Sequence, residues 1–314
     1  MRPGETEHYQ QLESELLSFD ERRQRLPGIH DPAKRESLLE QLLESIRRVK
    51  FVSVIRTRDV SGRRADPSEE IMFDPVRAAV LCDHQGRIDE AFWFVFLFVH
   101  FGRNFRTGWN YAREVYGRLG SAARWDWVNT SSDPSGFREW LDAHQEELKR
   151  NGGFGNHRKY QSLDAYSPTG TGAAIESYVR WVDLPRTHAD MMSQARQRAG
   201  GNPRMAFDLL YHSMSAVTSF GRTARFDYLC MVSKLGLAPI EPGSTYIKNS
   251  TGPIDGARLL FGNSKTAALS PSELDEWLVD LEAHLDVGMV GMQVVEDALC
   301  NWQKSPTSFK PFRR

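Results

Sequence analysis

Cysteine is scarce in this chain. Its 314 residues include three, Cys82, Cys230 and Cys300, far apart and in no CxxC pair. That spacing excludes a disulfide framework and a zinc-finger pattern, and fits a reducing compartment. An excess of either charge is also missing. Lys and Arg number 40 against 41 Asp and Glu, a net charge of -1, so any nucleic-acid footprint has to be a local patch. Long apolar runs are absent too. Ala91–Phe101 (AFWFVFLFVHF) is the longest, and it falls short of the roughly 20 residues a bilayer-spanning helix needs. The stretch Met1–Arg25 is polar, with no apolar signal-peptide core, so a cytoplasmic location without membrane attachment is expected. There is no HExxH, P-loop or GxGxxG, so no metal and no cofactor is expected. No fixed-period repeat is visible, and strand-like alternation is confined to one candidate, Phe51–Ile55.

What is present is helical periodicity in an ordinary globular composition, 40% hydrophobic and 26% charged. Residues 5–24 and 34–49 place Leu and Ile at i, i+3, i+4 and i+7 with charges opposite. Asp31-Pro32 reads as an N-cap followed by proline at the first helical position. Further helices are expected at about 74–84, 88–101, 108–119, from Asp133-Pro134 to Arg150, and at 172–182, 186–199, 203–217, 222–235, 253–261, 271–285 and 289–303. The fold class is therefore all-α. The tail, Lys304–Arg314 (KSPTSFKPFRR), is basic and aromatic. His100, on the apolar helix, and His212 read as satisfied core histidines. Glu90 and His100, ten residues apart, lie about 80° from one another around that helix and show no metal-ligand spacing.

Two segments carry the residue types that bind and act. The first is Val217–Leu229 (VTSFGRTARFDYL), a helix end, a tight turn at Gly221 and a new helix start. Backbone N–H groups at such a start can hold a phosphate; Arg222 and Arg225 add charge and Thr223 a hydroxyl. The second is the long irregular stretch 151–172, and within it Gly152–Tyr160 (GGFGNHRKY). Its glycines allow close approach to a ligand. With Gly155 among the contact residues, Asn156, His157, Arg158 and Lys159 offer donors for phosphate or sugar hydroxyls, and Phe154 or Tyr160 a ring for stacking on a base or filling the gap it leaves.

SFGRTA resembles the G-Φ-G-R-x-T-A hairpin of helix-hairpin-helix DNA glycosylases. Ser219 stands where the first glycine is usual, and one residue is missing between Arg222 and Thr223. The lysine that bifunctional members carry in this hairpin has no counterpart, which implies base removal that leaves the abasic strand uncut. More broadly, EAFWFVFLFVHFG with GWNYAREVYGRLG, GGFGNHRKY, SFGRTARFDYL, TGPIDGARLLF and EDALCNWQK resemble the alpha-glutamyl/putrescinyl thymine pyrophosphorylase clade 3 family, from about residue 70 to the end. The resemblance implies two helical lobes around a cleft, with residues 1–70 as an N-terminal helical extension, 71–303 as the glycosylase-like domain and 304–314 as a basic tail. It implies phage DNA with modified bases as partner, with no obligate protein partner. The activity it implies is excision of a hypermodified pyrimidine, such as glucosylated hydroxymethylcytosine, as an anti-phage defence. The alternatives are a transferase that hypermodifies hydroxymethylated thymine, as the family name implies, and a non-catalytic DNA-binding protein.

Breaking a C1′–N bond through an oxocarbenium-like sugar requires a carboxylate beside C1′. Three acids compete. Glu241, in PIEPGSTYIK, occupies the glycosylase-like position one helix and a loop after the hairpin, with Lys248 closing the same stretch as a DNA contact. Asp227 lies in FDYL on the hairpin's second helix, in a string similar to that around the catalytic Asp of alkyladenine-type glycosylases. Asp255 follows the turn in TGPIDGARLL, where a favourable helix-start charge is the plainer reading. The catalytic candidates are thus Asp227 and Glu241; Ser219, Gly221, Arg222, Thr223, Arg225 and Lys248 are the DNA-binding ones.

Overall fold

Aspartate and proline set the helix starts. At Asp133-Pro134 the aspartate side chain accepts the Gly136 N–H at 2.8 Å, and at Asp31-Pro32 it accepts the Ala33 N–H at 2.9 Å. Asp74, before Pro75, likewise accepts from Val76 and Arg77. In each case an orphan donor of the first turn is satisfied where proline has none to lose. The computed structural model describes residues 3–311, and among these it holds fourteen α-helices and no strand. Met1, Arg2 and the last three residues of the expected basic tail lie outside that range.

The chain divides into two compact units, Met1–Ser53 with Glu241–Arg314, and Val54–Ile240. To the first belong α1 (Pro3–Arg22), most of α2 (Pro32–Arg56), α12 (Gly252–Gly262), α13 (Pro271–His284) and α14 (Gly291–Trp302). Leucines from all five, among them Leu16, Leu38, Leu260, Leu281 and Leu299, converge on one point. The Trp302 indole donates to Lys34 O and Pro306 O, and Gln41 donates to Lys310 O, so the start of the tail is laid along α2. The expected strand at Phe51–Ile55 is instead the last turns of α2. Val49, Val52 and Ile55 are buried while Phe51 and Val54 are exposed, a three-residue spacing that only a helix satisfies.

The second unit holds α3 (Pro75–His84), α4 (Ile88–Phe101), α5 (Asn110–Tyr116), α6 (Trp127–Ser132), α7 (Pro134–Asn151), α8 (Thr171–Val182), α9 (His188–Arg198), α10 (Pro203–Ser213) and α11 (Arg222–Leu235). Helix α4 is its axis, buried almost all round from Glu90 to Phe101, as an all-apolar helix must be. It packs against α3, α5, α6, α9 and α11. Each fully buried phenylalanine along it contributes roughly 1.5–3 kcal/mol. Trp93 stacks on Phe96 and donates its indole N–H to Trp125 O at 2.9 Å, which anchors the loop leading into α6.

One run of polar groups beside α4 is paired from end to end. Asp89 accepts from both the backbone N–H (2.8 Å) and the ring Nδ1 (2.7 Å) of His188. His188 Nε2 meets the Tyr178 hydroxyl at 2.7 Å, which meets that of Tyr228 at 2.8 Å, so four helices share one chain of hydrogen bonds. Burial pushes the His188 pKa down, against the pull of Asp89. His100 is a buried core histidine as expected. His212 is not: it is exposed on α10 and paired with Asp208, one turn earlier, at 3.3 Å.

Candidate functional site

The site is built on the C-terminal end of α4, where the last carbonyls have no partner within the helix. Gly102, at φ +63, turns the chain, and its N–H closes on Phe98 O. The segment 152–160 supplies the rest: Gly155 N–H donates to Phe101 O at 2.8 Å and Arg158 Nε to Val99 O at 2.8 Å. A cation at a helix C-terminus also favours the helix dipole. The glycines of GGFG serve this docking. A Cβ on Gly152 would run into the Tyr111 ring, one on Gly153 would lie 2.7 Å from Asn104 Nδ2, and one on Gly155 2.9 Å from Gly102 C and Arg103 N. At these three positions the close neighbours are the protein's own side chains and, for Gly155, its backbone. Two asparagines complete the seam: Asn104 Nδ2 donates to Phe154 O and Asn110 Nδ2 to Asn151 O, each at 2.9 Å.

The hairpin reaches the same place from the other side. After α10 a single 3-10 turn leads to Val217–Gly221. Ser219 has φ +63, a conformation that costs a non-glycine residue about 1–2 kcal/mol, and its hydroxyl donates to Thr169 O at 2.7 Å. Phe220 is buried, stacked on Phe96 with centroids 5.1 Å apart and planes 2° from parallel, and lies 6.3 Å from the His100 ring. Gly221 is exposed and starts α11 with no side-chain cap. Arg222 lies over Phe226 and Thr223 is exposed. Arg225 turns back, donating to Tyr211 O at 3.2 Å over the Tyr211 ring, so it ties α11 to α10.

Asp227 is where loop and hairpin meet. Its Oδ2 lies 4.0 Å from Arg158, whose side chain is 8% exposed against 39% for the aspartate. The Arg158 guanidinium sits 5.9 Å above the Phe220 ring. Loss of surrounding water pushes the Asp227 carboxyl above its ordinary value, and the charges of Arg158, His157, Arg222 and Lys234 pull against that without overcoming it. Burial likewise lowers the Arg158 pKa. A desolvated acid beside cations in a half-open position is a recurrent feature of catalytic sites. His100 lies beneath. Thr171 donates its hydroxyl to Ser162 O at 2.8 Å, so the 3.0 Å contact of His100 Nε2 with Thr171 Oγ1 has the imidazole donating. Burial, aided by Arg158, holds the His100 pKa down at about 3, so the ring is neutral.

Charge is segregated here in a way the whole-chain balance hides. Stretches 102–112, 148–163 and 209–226 contain Arg103, Arg106, Lys149, Arg150, Arg158, Lys159, Arg222 and Arg225, and neither Asp nor Glu. The hydrogen bonds above bring the first two together and the Arg158 contacts bring in the third. Asp227 is the first carboxylate after the last of them.

Of the expected residues, the structure brings together Phe154, Gly155, Asn156, His157, Arg158, Lys159, Tyr160, Ser219, Gly221, Arg222, Thr223 and Asp227. Within this set Phe154 packs on Phe101 and Tyr111. Glu241 and Lys248 belong to the other unit, as does Asp255 in the first turn of α12. Sequence reasoning missed Phe220 and Thr171. An aromatic between two turn residues, SFG, is the signal that marks Phe220; nothing in the sequence marks Thr171. Among the described residues no three His, Cys, Asp or Glu side chains are grouped to hold a metal ion, and no helix is long and apolar enough to cross a membrane.

No curated protein and no solved structure matches the chain. A family profile matches residues 33–314, far more than half the length, and on that match the chain belongs to the alpha-glutamyl/putrescinyl thymine pyrophosphorylase clade 3 family, named for an enzyme of modified-base chemistry.

Proposed function

We propose that the protein is a monofunctional DNA N-glycosylase that removes a hypermodified pyrimidine, such as glucosylated hydroxymethylcytosine, from phage DNA. The observation that carries this reading is Asp227, a desolvated carboxylate 4.0 Å from Arg158 at the junction of three basic stretches free of acids. Cations there attract the phosphates on either side of a target nucleotide. The carboxylate stabilises positive charge at C1′ as the C1′–N bond breaks and takes a proton from the attacking water. The Gly221 helix start and Arg222 grip a phosphate. Asn156, His157 and Lys159, all exposed, offer donors to the hydroxyls of a sugar carried on the base. The sequence resemblance to helix-hairpin-helix glycosylases supports the same assignment, and the hairpin's lack of a lysine favours an uncut abasic strand as product.

The family name favours a second reading, a transferase that displaces pyrophosphate on a hydroxymethylated thymine. One experiment separates the two. Purified protein is incubated with glucosylated and with unmodified phage DNA, and digests are analysed by mass spectrometry beside an abasic-site probe. Excision gives a free base and abasic sites on modified DNA alone, lost in Asp227→Asn. On DNA carrying a diphosphorylated hydroxymethyl pyrimidine, supplied with an amine nucleophile that takes the place of the leaving pyrophosphate, a new nucleoside without abasic sites assigns the transferase, and neither product on any of these DNAs overturns both.

A further inference from the structure

The two most exposed aromatic side chains among the described residues are Phe105, at 81%, and Tyr160, at 89%. Both belong to the acid-free stretches around Asp227, and neither packs on the fold. Each carries its own cation. Arg106 lies 5.1 Å from the centroid of the Phe105 ring, and Lys159 Nζ lies 5.0 Å from that of Tyr160. The loops that bear them are bolted together: Asn104, next to Phe105, donates to Phe154 O, and a Cβ on Gly102 would lie 3.2 Å from Gly155 Cα. The loop of Phe105 is itself closed by a two-way backbone pairing of Asn104 with Gly108 at 2.9 and 3.0 Å. Its Arg106 and Thr107 N–H groups both point to Asn104 Oδ1. The ring is therefore held out on a rigid tip.

A phenyl ring in water at the tip of a rigid loop contributes nothing to folding that a polar residue would not. A ring with a cation on one side and solvent on the other offers an open π-face beside a positive charge. That combination suits an unpaired nucleobase and its phosphate, since every base has a face to stack while a paired, stacked base shows only its edge. We infer that Phe105 and Tyr160, with Arg106 and Lys159, form a stacking surface that engages unpaired bases of the DNA strand next to the Asp227 site. The inference rests on reading this face as a DNA-binding one, and it names the form of DNA bound: a strand whose bases are unstacked rather than an intact duplex.

The test uses unmodified DNA, so it does not depend on excision. Fluorescence anisotropy measures binding of the full chain to three labelled probes of equal length: a mixed-sequence single strand, a single strand of abasic residues, and a blunt duplex. The base-bearing strand is expected to bind roughly tenfold more tightly than the abasic strand, and Phe105→Ala and Tyr160→Ala each to remove most of that difference. Phe105→Trp preserves it. Arg106→Gln and Lys159→Gln weaken both single strands and flatten the salt dependence while leaving the preference for bases. Equal affinity for base-bearing and abasic strands, tighter binding to the duplex, or a preference unchanged in Phe105→Ala with Tyr160→Ala overturns the inference. Base-dependent binding in a protein that excises nothing upholds it and refutes only the glycosylase reading.

Discussion

His100 gives the sharpest handle on the packing under the site. Its pKa is about 3 in the fold against about 6.5 in an unfolded chain. A histidine whose pKa is lowered by folding contributes its full stability above the unfolded value and loses it as pH falls toward the folded one, because the unfolded chain takes up the proton first. Each pH unit inside that window costs about 1.4 kcal/mol, so at pH 5 the protein gives up about 2 kcal/mol on this account. At roughly 2–4 °C per kcal/mol for a unit of this size, the melting temperature falls by about 4–8 °C. His100→Phe keeps a ring against Phe96 and Phe220 and removes the titration. It forfeits the donor to Thr171 Oγ1, a loss of about 1 kcal/mol. The variant should therefore melt a few degrees below the parent at pH 7.5 and a few degrees above it at pH 5. Differential scanning fluorimetry across that range reads the crossing directly. His188, also shifted down by burial, contributes acid lability to both proteins and cancels in the difference. Melting curves that stay parallel from pH 7.5 to 5 would refute a neutral, buried His100.

The remaining expectations concern the loop and the acid. Asp227 has its pKa raised by burial, so its contribution to stability is complete below the unfolded value and lost as pH rises through the folded one. Asn in its place mimics the protonated acid and should hold or raise the melting temperature at pH 7.5 while abolishing excision; a fall of several degrees contradicts the desolvated carboxylate. Arg158→Met removes a charge-assisted bond to Val99 O, a loss of roughly 2 kcal/mol, and a cation beside Asp227. The acid limb of the pH–rate profile should move upward, and a profile that does not move shows that the guanidinium has no hold on the carboxylate. Gly155→Ala sets a Cβ 2.9 Å from Gly102 and Arg103 backbone, at a cost of about 1–3 kcal/mol. Limited proteolysis should then cut within 152–160 faster than in the parent, and an unchanged digest speaks against tight docking.

Helices were the most legible part of the sequence because their signals are local. Apolar spacing, Asp-Pro starts and Gly stops mark twelve of the fourteen to within a few residues, and a thirteenth, α2, with its end seven residues short. The exception, α6, is the six residues WVNTSS, too short to display a period. Helix α5 ends early, at Tyr116, and α10 at Ser213, where positive-φ Arg118 and Leu119 and a 3-10 turn take over; apolar spacing runs on past a turn that dihedral angles interrupt. The strand misreading at Phe51–Ile55 has the same origin, since five residues cannot distinguish a period of two from one of three.

The candidate site was legible as residue types but not as roles, because roles here are long-range. Arg158 looked like one more surface donor in a basic loop; 59 positions separate it from Val99, the carbonyl it meets, and a buried arginine has no local sequence mark. Asp227 is one acid among three in the sequence, and the Arg158 beside it is visible only in the fold.

The same contact links the cap of α4 to the acid proposed as catalytic. A guanidinium buried under a loop requires an acceptor for its donors and an anion for its charge. The frayed end of α4 provides the first, and Asp227 the second at a distance that leaves the carboxylate half exposed. Were the pair closer and drier, Asp227 would be spent as a structural counterion. Were Arg158 not anchored on Val99, it would extend into solvent with Lys159 and leave the aspartate to burial alone. Holding the cation by the helix end fixes how strongly it can act on the acid, which is the condition a carboxylate needs if it is to be charged and still basic enough to take a proton from water.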